Sequence, residues 1–200
     1  MPAGLRLPSF SLAAIIVVLI AWLPFHAAAH EVRPAIAELM FSKDGSAELR
    51  VEVVLEALLA GIPPDVTNTD DAPQAALYDQ LRALPPDELE SRFREFLPRW
   101  LNTPPLRFGD AFAELTIRQI QIPEIGNLDL ARNSLLTFDV AIPPGTQEFT
   151  WVYPGQDGAS VIRIDRPGQK LQAQFVPAGS SHGPLEIGVA VERPRYQTAW

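Results

Sequence analysis

Polar and apolar residues alternate cleanly from Glu48 to Val53, where Leu49, Val51 and Val53 interleave with Glu48, Arg50 and Glu52, and Leu55 follows in the same register. A period of two predicts a strand with one buried face. The preceding run is less regular, with Val32, Ile36, Leu39 and Phe41 as its large apolar positions, and Ser42-Lys43-Asp44-Gly45 follows as a turn. Together these predict a first β-hairpin. Glu56 to Ala60 loses the alternation and meets Gly61-Ile62-Pro63-Pro64, so the second strand is expected to end near Leu55.

The period then lengthens. Thr69-Asp70-Asp71 offers caps and Pro73 a first-turn proline, and Ala76, Leu77, Leu81 and Leu84 fit one face of a short helix. A second helix opens at Pro85-Pro86, with Asp87, Glu88 and Glu90 near its positive end and Leu89, Phe93, Phe96 and Leu97 on one face. Glu88 with Arg92 and Glu90 with Arg94 have the spacing of helical ion pairs, which marks a solvated face.

Beyond Pro104-Pro105 the chain returns to strand patterning. Leu115 to Ile122, Leu135 to Ile142, Phe149 to Tyr153, Val161 to Ile164 and Leu171 to Phe175 each run into a proline or a Pro-Gly turn. A last weak strand is expected between Pro184 and Val191, after a loop from Ala178 to Gly183. No helices separate these late strands, which disfavours a parallel α/β fold. The expected architecture is an all-β, antiparallel, immunoglobulin-like sandwich carrying a helical insertion over 70–101.

The first 29 residues read differently. Arg6, an apolar run from Leu12 to Leu23 and Ala27-Ala28-Ala29 form the three parts of a secretory signal. The apolar run is roughly a dozen residues, short of the roughly 20 that a membrane-spanning helix needs. Cleavage after Ala29 predicts a periplasmic or secreted chain without a membrane span, comprising a domain over 30–192 and a polar tail over 193–200.

Composition narrows the partners. A formal net charge of -8 disfavours nucleic acid and anionic lipid and suits cationic ligands. With no cysteine, disulfides, thiolate metal sites and a Cys nucleophile are all excluded.

Few residues carry candidate chemistry. Gly179-Ser180-Ser181-His182-Gly183 matches the G-x-S-x-G elbow in letters, yet Pro184 and an expected strand follow where that motif needs a helix, and no His lies downstream to act as base. A hydrolase therefore has little to stand on, and no enzymatic activity is expected. Signal removal leaves His30 and His182 as the imidazoles, with His30 at the new terminus. An N-terminal His offers an α-amine and a ring nitrogen to one divalent ion, a nitrogen-rich arrangement that suits Cu(II) or Ni(II). His182 and Glu31 are the candidate additional ligands.

The run His30-Glu31-Val32-Arg33-Pro34-Ala35 directly after a signal, then Glu38-Leu39, the stretch Leu55 to Ile62 and Phe149-Thr150-Trp151, resembles the extracytoplasmic N-terminal region of HupE/UreJ-type membrane proteins. That family is associated with nickel or cobalt transport, and its N-terminal region normally precedes a His-containing multi-helix membrane domain. This sequence stops at Trp200 before any such helices. The resemblance implies an accessory module that binds or delivers Ni, Co or Cu to a separately encoded membrane permease. A β-sandwich that only docks on a protein partner is the competing expectation.

Overall fold

The computed structural model describes residues 34–63, 66, 68–128, 130–154 and 157–188. The predicted signal segment, His30, Glu31 and the tail over 193–200 lie outside them. The chain is β-rich and forms two sheets. The larger has six strands in the order β5-β6-β2-β1-β8-β9, built from β1 (Ala35–Phe41), β2 (Ala47–Val53), β5 (Glu114–Gln121), β6 (Ser134–Ala141), β8 (Ser160–Asp165) and β9 (Gln172–Val176). The smaller runs β10-β7-β3-β4, from β10 (His182–Glu186), β7 (Glu148–Trp151), β3 (Leu106–Phe108) and β4 (Ala111–Phe112).

Alternation explains the large sheet. Ala35, Ala37, Leu39 and Phe41 of β1 are buried, as are Ala47, Leu49 and Val51 of β2, Leu136, Phe138 and Val140 of β6, and Ile162 and Ile164 of β8. Residues two apart share a face, so these side chains form one continuous apolar surface. Phe149 of β7 meets Phe41 with ring centroids 5.4 Å apart, bringing the small sheet onto that surface. The Trp151 indole N–H donates to the Ser160 hydroxyl at 2.9 Å, a second tie between the sheets. Arg166, after β8, donates to the Glu186 carbonyl of β10 at 2.8 Å and to Gln172 Oε1 at 2.9 Å.

The large sheet is mixed, which corrects the expectation of a purely antiparallel fold. Strand β1 pairs antiparallel with β2 but parallel with β8, Ala35 opposite Ser160 through Met40 opposite Asp165. Period-two patterning gives a strand its faces; it carries no information about the direction of a distant partner.

Helical structure begins earlier than residue 70. Helix α1 (Leu55–Ala60) follows β2 at once, a 3-10 turn spans Thr69–Asp71, and α2 (Ala75–Arg82) and α3 (Pro86–Trp100) come next. Gly61 ends α1 in the left-handed region at φ 70, where a Cβ is disfavoured, and its N–H returns to the helix carbonyls. In α3 the buried residues are Leu89, Phe93, Leu97 and Trp100, with Phe96 partly buried and packed against the core, as the spacing predicts. Its Glu90 and Arg94 form the expected surface pair at 2.7 Å. In α2, Leu81 is buried but Leu77 is 45% exposed, and Tyr78 takes the inward position instead.

A buried ion pair ties the helices to the connection between β5 and β6. Glu56 of α1, fully buried, accepts from Arg132 Nε at 2.7 Å, and Arg132 Nη1 also donates to the Leu84 carbonyl at 3.1 Å. Each partner keeps one buried atom, Glu56 Oε2 and Arg132 Nη2, without a hydrogen bond among the described residues. Such a pair costs desolvation, so its main effect is to fix where α1 and the α2–α3 junction sit. Arg132→Ala, which leaves Glu56 charged and alone in the core, is expected to lower stability by about 3–5 kcal/mol in urea unfolding. Combining Glu56→Leu with Arg132→Met is expected to recover most of that loss.

Candidate functional site

A cavity of about 950 Å³ opens where the helices meet one end of the large sheet. Helix α1 and the turn after it contribute Ala57, Leu58, Ala60 and Ile62; the end of α3 contributes Phe96, Arg99, Trp100, Asn102 and Thr103. Pro34 and Ala35, at the start of β1, line it together with Asp157, Gly158 and Ala159, which lead into β8. The volume lies in the range of small-ligand sites, about 300–1,000 Å³. These strand starts are neighbours because of the parallel pairing, and the Ala35 N–H donates to the Ala159 carbonyl at 3.1 Å.

Asp157 is the chemical centre of this cavity. Its Oδ2 accepts the Trp100 indole N–H at 2.9 Å, and its own N–H donates to the Pro154 carbonyl at 2.9 Å. The Trp100 ring stacks on Phe138 of β6 with centroids 5.7 Å apart, so the donor that orients the carboxylate is itself anchored in the core. Burial pushes the Asp157 carboxyl up to about 6, an effect that the Trp100 hydrogen bond partly opposes. Behind it lies Tyr153, fully enclosed and stacked on Trp151 at 5.8 Å, with its phenol driven above the ordinary range by burial and by the Asp157 charge. Arg99 also lines the cavity, so its wall holds charges of both signs.

Of the sequence-predicted ligands, only His182 is among the described residues, and it falls elsewhere. His30 and Glu31 are outside the described residues, four and three positions before Pro34. His182 lies in β10, not in the expected loop, and pairs with Trp151 of β7. It does not line the cavity. The backbone carbonyl of Phe149 explains why β10 needs glycine next: a Cβ at Gly183 would come within 2.9 Å of it. Ser180 and Ser181 precede a strand, so the strand–turn–helix geometry of a nucleophile elbow is not formed here. Among the described residues no three His, Asp or Glu side chains converge to hold a metal, and no helix is long and apolar enough to cross a membrane.

Neither Asp157 nor Trp100 stands out in the sequence. Asp157 reads as part of a Pro-Gly turn and Trp100 as the end of a helical stripe, and 57 residues separate them. No protein-family model matches the chain, and no curated protein matches it.

The raised Asp157 value has a thermodynamic consequence with a definite sign. Because the folded carboxyl holds its proton up to about 6 against an ordinary 3.8, the stabilising form is fully present below about pH 4 and lost as pH rises through 6. The loss is on the order of 3 kcal/mol at most. Thermal unfolding should therefore show this group lowering Tm between pH 4 and 7, and Asp157→Asn should flatten that part of the profile.

Proposed function

We propose that the chain is an extracytoplasmic accessory module that captures a divalent cation at its N-terminus and presents it to a separately encoded membrane permease. Nickel, cobalt and copper are the candidate cargoes. The carrying observation is that Pro34, four residues after His30, lines the cavity that holds the half-buried Asp157 carboxylate. Signal cleavage after Ala29 frees the His30 amine, and that amine with the imidazole forms a two-nitrogen chelate suited to Ni(II) or Cu(II). The net charge of -8 favours the approach of such ions. The module performs no catalysis in this reading. Its frame is an immunoglobulin-like sandwich with a helical insertion, a description supported by the Phe41–Phe149 and Trp151–Ser160 contacts across the sheets.

A second reading, docking on a protein without a metal role, is favoured by one feature. The connection between β5 and β6 carries Ile125, Leu128 and Leu130, which are 43%, 47% and 67% exposed, three large apolar side chains on one segment.

The two readings separate by experiment. Intact mass of the exported protein should give a chain starting at His30. Calorimetric titration of Ni(II), Co(II) and Cu(II) into that chain should show one site, and His30→Ala or one extra residue ahead of His30 should weaken it about tenfold or more. Equal binding by the wild type and both variants removes the metal reading and leaves docking.

A further inference from the structure

We infer that the cavity between the helices and the large sheet binds a small zwitterion with an apolar side chain, a free hydrophobic amino acid or a short hydrophobic peptide, with its ammonium on Asp157 and its carboxylate on Arg99. This goes beyond the proposed metal capture and does not depend on it, since every group it uses lies on the cavity wall.

Two opposite charges share that wall and remain apart. Asp157 accepts the Trp100 indole N–H through Oδ2 at 2.9 Å, and its Oδ1 has no bond among the described residues. Arg99, in the last turn of α3, is exposed, and its guanidinium forms neither an ion pair nor a hydrogen bond with Asp157 or any other described residue. The cavity thus offers one anchor for a cation and one for an anion. Burial pushes the Asp157 carboxyl up to about 6, so at neutral pH it is mostly ionised and can accept from an ammonium. A guanidinium stays charged at any ordinary pH and can hold a carboxylate with two parallel N–H donors.

The helix sets the two anchors apart. Arg99 and Trp100 are consecutive, and consecutive helical side chains diverge by about 100° around the axis. The indole that holds Asp157 therefore points into the core, where it stacks on Phe138, while Arg99 stays at the surface. Much of the remaining wall is apolar. Leu58 and Phe96 are only partly buried against the core, and both line the cavity together with Ile62. A neutral apolar ligand would desolvate the carboxylate without pairing it, and a simple amine or acid would meet its own charge at one of the anchors. A zwitterion with an apolar side chain uses all three surfaces, and a volume of about 950 Å³ admits a short peptide as well as a single amino acid.

The test is calorimetric titration at neutral pH of free leucine, free phenylalanine and the dileucine dipeptide into the exported protein, with free glycine, N-acetylleucine and leucinamide for comparison. At least one of the apolar zwitterions should bind at one site, and glycine, which lacks the side chain, should bind about tenfold or more weaker than leucine. N-acetylleucine lacks the ammonium and leucinamide the carboxylate, so each should lose about tenfold or more. Asp157→Asn and Arg99→Gln should each weaken leucine by a similar factor, and Arg99→Gln should bind leucine no better than the wild type binds leucinamide. The Tm of each variant reports that the fold is intact, and Arg99→Gln changes only an exposed side chain. Tighter binding of leucine than of dileucine assigns the site to a free amino acid, and the reverse order assigns it to a peptide. Failure of every zwitterion to bind, equal binding by the wild type and both variants, or leucine no tighter than its acetyl and amide analogues each overturns the inference.

Discussion

The six-stranded sheet has one apolar face, and covering it is the constraint from which the rest of the molecule follows. Four short strands do part of the work, with Phe149 against Phe41 and Trp151 hydrogen-bonded to Ser160. Helices do the remainder, with Trp100 stacked on Phe138. Two covers of different kinds cannot meet as regularly as two halves of a single layer, and the cavity lies beside the helical cover, at the ends of β1, β2 and β8. Its polar centre is a by-product of the same packing, since the indole that covers Phe138 has an N–H that must find an acceptor when buried. Asp157 is that acceptor.

Two carboxylates drawn into the interior, Glu56 and Asp157, are handled in different ways. Glu56 and Arg132 neutralise each other and position α1 against the segment leading into β6. Asp157 has the neutral Trp100 indole as its side-chain donor, and burial, partly opposed by that hydrogen bond, makes its carboxyl retain a proton to unusually high pH. The first arrangement is complete within the chain. The second has no counter-charge bonded to it among the described residues, and this difference sets the cavity carboxylate apart from the structural pair.

Most of the large sheet was legible from the sequence because one-sided burial imposes period two on β1, β2, β6 and β8. The stripe of α3 was legible for the same reason at a longer period. Helix α1 was not, because six residues give barely more than one turn and its Glu56 faces the core, opposite to what its charge suggests. Strands β3 and β4 are three and two residues long, too short to establish any period. His182 looked like a loop residue because glycines and serines surround it, yet pairing with β7 extends the strand through that polar run. Asp157 was hidden for a different reason: its importance comes from a contact with Trp100, and no local pattern encodes a contact across 57 residues.

The position of β1 carries a consequence for the order of events during biogenesis. It is the first described strand in the chain, yet it occupies an interior place in the sheet, flanked on one side by β2 and on the other by β8. Its hairpin with β2 forms from nearby residues, but the seam with β8 waits until residues 160–165 have been delivered. Until then the hairpin has an open edge at β1, the kind of edge that pairs readily with foreign strands. The same late closure assembles the cavity, since Ala35 and Ala159 are brought together only at that seam. Closure of the β1–β8 seam and assembly of this wall of the cavity therefore depend on the same pairing.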